Sequence, residues 1–112
     1  MQQFKRPDHS PDLEVEVHLY PEEISGRKAP LSQGCRLPND FGLPNEFNDG
    51  MYEFIVAEPS PGEVQEAVVW LLAPERNAGR LYEGFEFRAW DSKFIATCKV
   101  LRVLNPSLVK HC

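Results

Sequence analysis

Along residues 81–90, Phe85, Phe87 and Ala89 alternate with Glu86 and Arg88. That period of two turns one face of an extended strand toward a core and the other toward water. Leu13, Val15, Val17 and Leu19 alternate with Glu14, Glu16 and His18 in the same way, which predicts a second half-buried strand. Residues 64–73 differ. After Glu66 they are almost continuously apolar, the pattern of a strand covered on both faces and expected at the centre of a sheet. From residue 94 to about 104, Phe94, Ala96, Cys98 and Val100 fall on one side of a further strand, with Ile95, Thr97 and Lys99 on the other.

Turn chemistry separates these stretches. Pro74, Asn77 and Gly79 break the chain before residue 81, and Asp91, Ser92 and Lys93 form a tight polar connection after residue 90. Residues 51–57 read as another strand, and 31–37 as a short extended piece. Residues 21–30 read as a loop. Residues 37–50 hold Pro38, Asn39, Asp40, Gly42, Pro44, Asn45, Asn48, Asp49 and Gly50, which predicts the longest irregular segment. Within it Phe41, Leu43 and Phe47 either tuck onto the core or offer an apolar surface. Short strands, Gly and Pro turns and no helical period together predict a small antiparallel barrel or sandwich. We expect one domain over residues 12–104, a flexible leader at 1–11 and a tail at 105–112.

Composition narrows the classes. With 42% apolar and 26% charged residues in 112, the chain is globular and of about one-domain length. Twelve basic residues against 17 acidic ones give a net charge of −5, a poor match for general attraction to a phosphate backbone. No apolar run approaches the roughly 18 residues of a membrane span, and the first residues lack the apolar stretch of a secretory signal. Cys35, Cys98 and Cys112 form no CxxC pair, and their odd number suits a reducing compartment, so a cytoplasmic location is expected. Cys98 is expected to pack as a small hydrophobe, and Cys112 to be a free, mobile thiol. His18 has no second histidine at ligand spacing on its face; no metal or cofactor is expected.

Several short motifs then occur in a telling order. Residues 13–17, Glu22-Glu23, the run Gly26-Arg27-Lys28-Ala29-Pro30 and Gly34-Cys35-Arg36 are followed by Pro61-Gly62, Leu71-Leu72, Glu83-Gly84 and a closing strand over 95–104. The chain thereby resembles the C-terminal β-barrel domain, domain 3, of bacterial elongation factor Tu, over about residues 12–104. The resemblance implies a closed all-β barrel of about six antiparallel strands. It also implies a surface that contacts the T arm of aminoacyl-tRNA, through a Gly-Gly-Arg turn before the last strand. Here that place reads Trp90-Asp91-Ser92-Lys93-Phe94, without the two glycines and with an added negative charge. The GTPase domain that opens the complete factor has no counterpart, since no GxxxxGK[ST] loop is present.

No Ser-His-Asp or Cys-His order is recognisable, and the carboxylates at Glu14, Glu16, Glu22 and Glu23 read as solvated; a non-catalytic protein is expected. Two binding readings follow. In the first, the loops contact a protein partner through Arg27, Lys28, Arg36, Phe41, Phe47 and Arg80, since planar, many-donor arginines and large apolar side chains anchor interfaces. A variant is mimicry, in which a free copy of the factor's third domain acts as a decoy or antidote. In the second, Arg88, Lys93, Lys99 and Arg102 contact the phosphates of RNA or tRNA, and Trp90 stacks on a base.

Overall fold

The computed structural model describes residues 4–111, so Met1, Gln2, Gln3 and the Cys112 thiol lie outside the described residues. Six strands form: β1 (Leu13–Leu19), β2 (Arg36–Asp40), β3 (Asn48–Phe54), β4 (Val64–Leu71), β5 (Glu86–Trp90) and β6 (Phe94–Val103). They close into a barrel in the order β1-β4-β3-β2-β5-β6, antiparallel at every pairing. The alternation and the turns predict a small antiparallel barrel or sandwich, and the closed six-stranded barrel is the one of the two that forms. A single turn of helix, α1 (Glu22–Ser25), ends at Gly26 with a φ of 73° and lies against β6. No helix among the described residues is long and apolar enough to cross a membrane, which says nothing about crossing by strands.

Period-two alternation sorts the side chains. Leu13, Val15, Val17 and Leu19 of β1, Ala67 and Val69 of β4, Phe87 and Ala89 of β5, and Ala96, Cys98 and Val100 of β6 line the interior. Leu37, Tyr52, Phe54, Leu71 and Ile95 belong to the same core, and Leu31, Phe41, Leu81 and Leu108 pack into it from outside the strands. Leu108 belongs to the segment read as a tail. A bridge between Leu81 and Val109, with Leu81 N donating to Leu108 O at 2.8 Å, fixes that segment to the barrel.

Residues 37–50 correct the expectation of a long irregular loop. They contain most of β2 and the start of β3, paired from Arg36↔Met51 to Asn39↔Asn48. Two of the polar residues that look like a loop, Asn39 and Asn48, lie inside. Asn39 is fully buried; its Nδ2 donates to Leu37 O and Asn48 O, both at 3.0 Å, and its Oδ1 accepts from the Tyr52 hydroxyl. A buried amide with its donors and acceptor all engaged is tolerated in a core. Gly50, read as a turn residue, is a strand position where any larger residue forces its neighbours to move. A Cβ there would lie 2.8 Å from Val69 Cγ1 and 2.9 Å from Asn39 Nδ2. Pro38 sits where β2 is paired with β3 alone, the kind of position a proline can occupy in a sheet.

β4 is not a central strand, because a closed barrel has none. It lies between β1 and β3, with Val69 and Leu71 inward. Trp70 points outward yet is only 3% exposed. Its cover is the segment read as a flexible leader: the Phe4 ring lies 6.3 Å from it, and Trp70 Nε1 donates to His9 O at 2.8 Å.

Candidate functional site

β2 and β5 share only two residue pairs, Asn39↔Ala89 and Asp40↔Arg88. Beyond them the strands part, opening a seam in an otherwise well-paired barrel. The gap holds a recess of about 410 Å³ lined in part by Arg27, Cys35, Arg36, Pro38, Trp90 and Asp91. Beside it stands an aromatic cluster.

That cluster depends on a bulge. Ala89 pairs with Ala96 but Trp90 pairs with Phe94, so Ile95 is an extra residue in β6. One extra residue reverses the parity of everything before it. Phe94, expected on the same side of the strand as Ala96, therefore joins Trp90 on the outer face, with their rings edge to face at 5.1 Å. Phe47 closes the triangle at 5.8 Å from each ring and is 42% exposed. The Arg88 guanidinium lies 3.7 Å above the Phe94 ring and 3.5 Å from the Asp40 carboxylate. Sequence alternation missed Phe94, because nothing local marks the bulge.

The Phe47 loop is held at its base. Glu46 forms a two-point ion pair with Arg76, at 2.6 and 2.9 Å, and also accepts from Asn48 Nδ2. Those hydrogen bonds, first the one from Arg76, hold the Glu46 carboxyl down at about 2. Asn77 Nδ2 reaches Asn48 Oδ1 at 3.4 Å, and Arg80 donates to Asn77 Oδ1 and to Phe41 O. Arg80 thus braces a turn.

The residues proposed for a protein partner are therefore divided. Arg27 and Arg36 line the seam recess, where Arg27 pairs with Asp91 at 2.8 Å, and Phe47 stands against Trp90 beside it. Lys28 is exposed on the connection leaving α1. Phe41 is a correction: at 1% exposure, against Phe87 at 4.5 Å, it is a core residue and presents no surface. Of the residues proposed for RNA, Arg88 and Trp90 belong to the aromatic cluster. Lys93 donates to Ile24 O at 3.1 Å. Lys99 stands opposite Glu16 and Glu86 on the neighbouring strands, and Arg102 pairs with Glu14 at 2.8 Å.

Burial pushes the Cys35 thiol up to about 11 and the Cys98 thiol up to about 12, so both are neutral at pH 7. Among the described residues no three His, Cys, Asp or Glu side chains gather at metal-binding distance. No protein-family model matches the chain, and no curated protein matches it. The likeness to domain 3 of elongation factor Tu rests on the order of short motifs, and the structure adds a small closed barrel.

Proposed function

We propose that the chain is a non-catalytic module that binds a protein partner at the seam between β2 and β5. The observation that supports this most is the half-open triangle of Phe47, Trp90 and Phe94 beside a recess bordered by Arg27 and Arg36. Aromatic anchors next to arginines, on a rigid base, are the composition of interface hot spots. Preorganisation lowers the ordering cost of association, and here the Glu46–Arg76 pair and the bulge supply it. The cations of β5 and β6 favour a protein over RNA, because Arg88 and Arg102 already pair with carboxylates of the same chain and Lys99 stands opposite Glu16 and Glu86. Binding phosphates would mean giving up the two arginine pairings. If the resemblance to elongation factor Tu reflects its use, the partner is a cytoplasmic protein of translation, and the free barrel competes for it as a decoy or antidote.

Charge reversal separates the two kinds of partner. With Lys99→Glu and Arg102→Glu combined, the protein partner should still bind within about threefold. With Phe47→Ser and Arg36→Glu combined, affinity should fall at least tenfold, which is about 1.4 kcal/mol. The opposite ranking, together with loss of binding by orders of magnitude between about 50 and 200 mM salt, would instead identify RNA.

A further inference from the structure

The second outward tryptophan marks a second surface. β4 and β5 are three strands apart either way round the barrel, so Trp70 lies on the side opposite the seam. Trp70 is absent from the interior core, and residues 4–11 cover it. This covering segment is neither helix nor strand, with a bend at Asp8 and His9. It touches the barrel as a bound peptide would, through a few separate anchors.

Phe4 is the first anchor. Its ring lies over Gly34 so closely that a Cβ there would come within 2.8 Å of Phe4 Cγ. Gly34, at a φ of 79°, therefore leaves a slot sized for a ring, walled by Trp70. Arg6 is the second; its Nη2 and Nε reach Glu53 Oε2 at 2.8 and 3.2 Å. Glu53 is the more buried of the two, with 17% of its side chain exposed against 67% for Arg6. The third anchor is the His9 carbonyl on the Trp70 indole. Between the segment and the barrel remains a recess of about 680 Å³, bordered by Pro7 and Pro11 on one side and by Met51, Trp70 and Pro74 on the other. The segment covers the groove without filling it.

We propose that the outer face of β3 and β4 is a peptide-docking groove for segments carrying an aromatic residue two places before an arginine, and that residues 4–11 are its occupant in cis. The Gly34 slot takes the ring, Glu53 takes the guanidinium, and the Trp70 indole takes a backbone carbonyl three residues further on. An occupant tethered on the same chain acts at an effective concentration in the millimolar range, so a partner in trans has to compete with it. A ligand that fills the remaining recess has the means to do so. The groove and the seam recess share Arg36 at their rims, and none of the three anchors involves it.

The test uses the full chain, the double variant Phe4→Ala/Arg6→Glu, and a synthetic peptide with the sequence of residues 4–11. The variant should bind the peptide at least tenfold more tightly than the unaltered chain does, read from the Trp70 indole N–H resonance. Peptide lacking the phenyl ring should not bind. With Glu53→Lys added, affinity for the peptide should drop at least tenfold, and a peptide carrying Glu in place of Arg6 should recover part of it. A second readout needs no variant to fold. In the unaltered chain, hydrogen exchange at the Trp70 indole should run at least a hundredfold faster than at the amides of Tyr52 and Val69, by local opening of the segment. Equal binding of the peptide by both chains, no binding to the folded variant at millimolar peptide, or indole exchange as slow as the core would each overturn the proposal. Exchange of residues 4–11 between two copies, seen as a dimer, would also overturn it by making the occupant a second copy.

Discussion

The protein has two outward tryptophans, and their surroundings are opposite. Trp70, on β4, is covered by the chain's own residues 4–11 and is 3% exposed. Trp90, on β5, is left half-open, with Phe47 and Phe94 beside it and the seam recess at its flank. One side of the barrel supplies its own cover and the other does not. A large aromatic surface left uncovered beside arginines is open to a partner at once, whereas at Trp70 a partner has first to displace the chain's own segment.

Stability measurements sharpen that contrast. Trp70→Ala empties a well-covered site and should cost about 3 kcal/mol in chemical denaturation. Trp90→Ala should cost about 1 kcal/mol, because its ring is already partly in water. Equal losses at the two positions would erase the distinction between a covered and an open side. Gly50→Ala comes next. Its Cβ would press on Val69 and Asn39, an overpacking that should lower the denaturation midpoint by about 1–3 kcal/mol. A neutral result would mean that β3 and β2 lie farther apart at this point. Phe94→Ala should cost little in stability, under about 1 kcal/mol, while removing the surface that Arg88 and Phe47 pack against. Unchanged partner binding in that variant would detach the cluster from function.

The smallest effect concerns the base of the Phe47 loop. The Glu46 carboxyl is lowered from an ordinary 4.5 to about 2, chiefly by its hydrogen bonds from Arg76. A depressed carboxyl pKa contributes stability above about 4.5 that is lost as the pH falls toward about 2. The Asn48 side-chain amide resonance should therefore shift across that window, and Arg76→Ala should move the midpoint upward toward the ordinary value. A midpoint unchanged by Arg76→Ala would mean that the pair does not hold the loop.

Much of the barrel was legible in the sequence, and the reasons it was not fully so are local. Strands β1, β4, β5 and β6 announce themselves because their apolar positions alternate or run together. β2 was hidden because its inward residues are Leu37 and Asn39, with Pro38 between them. An asparagine inside a barrel is intelligible only with the groups it bonds, Leu37 O, Asn48 O and the Tyr52 hydroxyl, and two of the three come from β3. The same holds for Gly50, whose reason is a neighbour on β4. The seam was partly visible, since Phe47, Trp90, Arg27 and Arg36 were all singled out. They were divided between two readings because only the fold shows that Phe47 meets Trp90. Strict alternation puts Phe94 on the wrong face, because a bulge breaks the alternation without leaving a mark in the sequence. The covering segment reads as a flexible leader because its anchors, one ring, one ion pair and one carbonyl, carry no periodic signal.

The most direct test of the central claim is paired capture from cell lysate by the tagged protein and by its Phe47→Ser/Trp90→Ser variant, each with and without nuclease. A protein retained by the unaltered chain through nuclease treatment, and at least tenfold depleted with the folded variant, is the result expected of a seam that binds a protein. Retention of the same proteins by both chains, or a captured RNA that vanishes with nuclease and takes every protein with it, would contradict that claim.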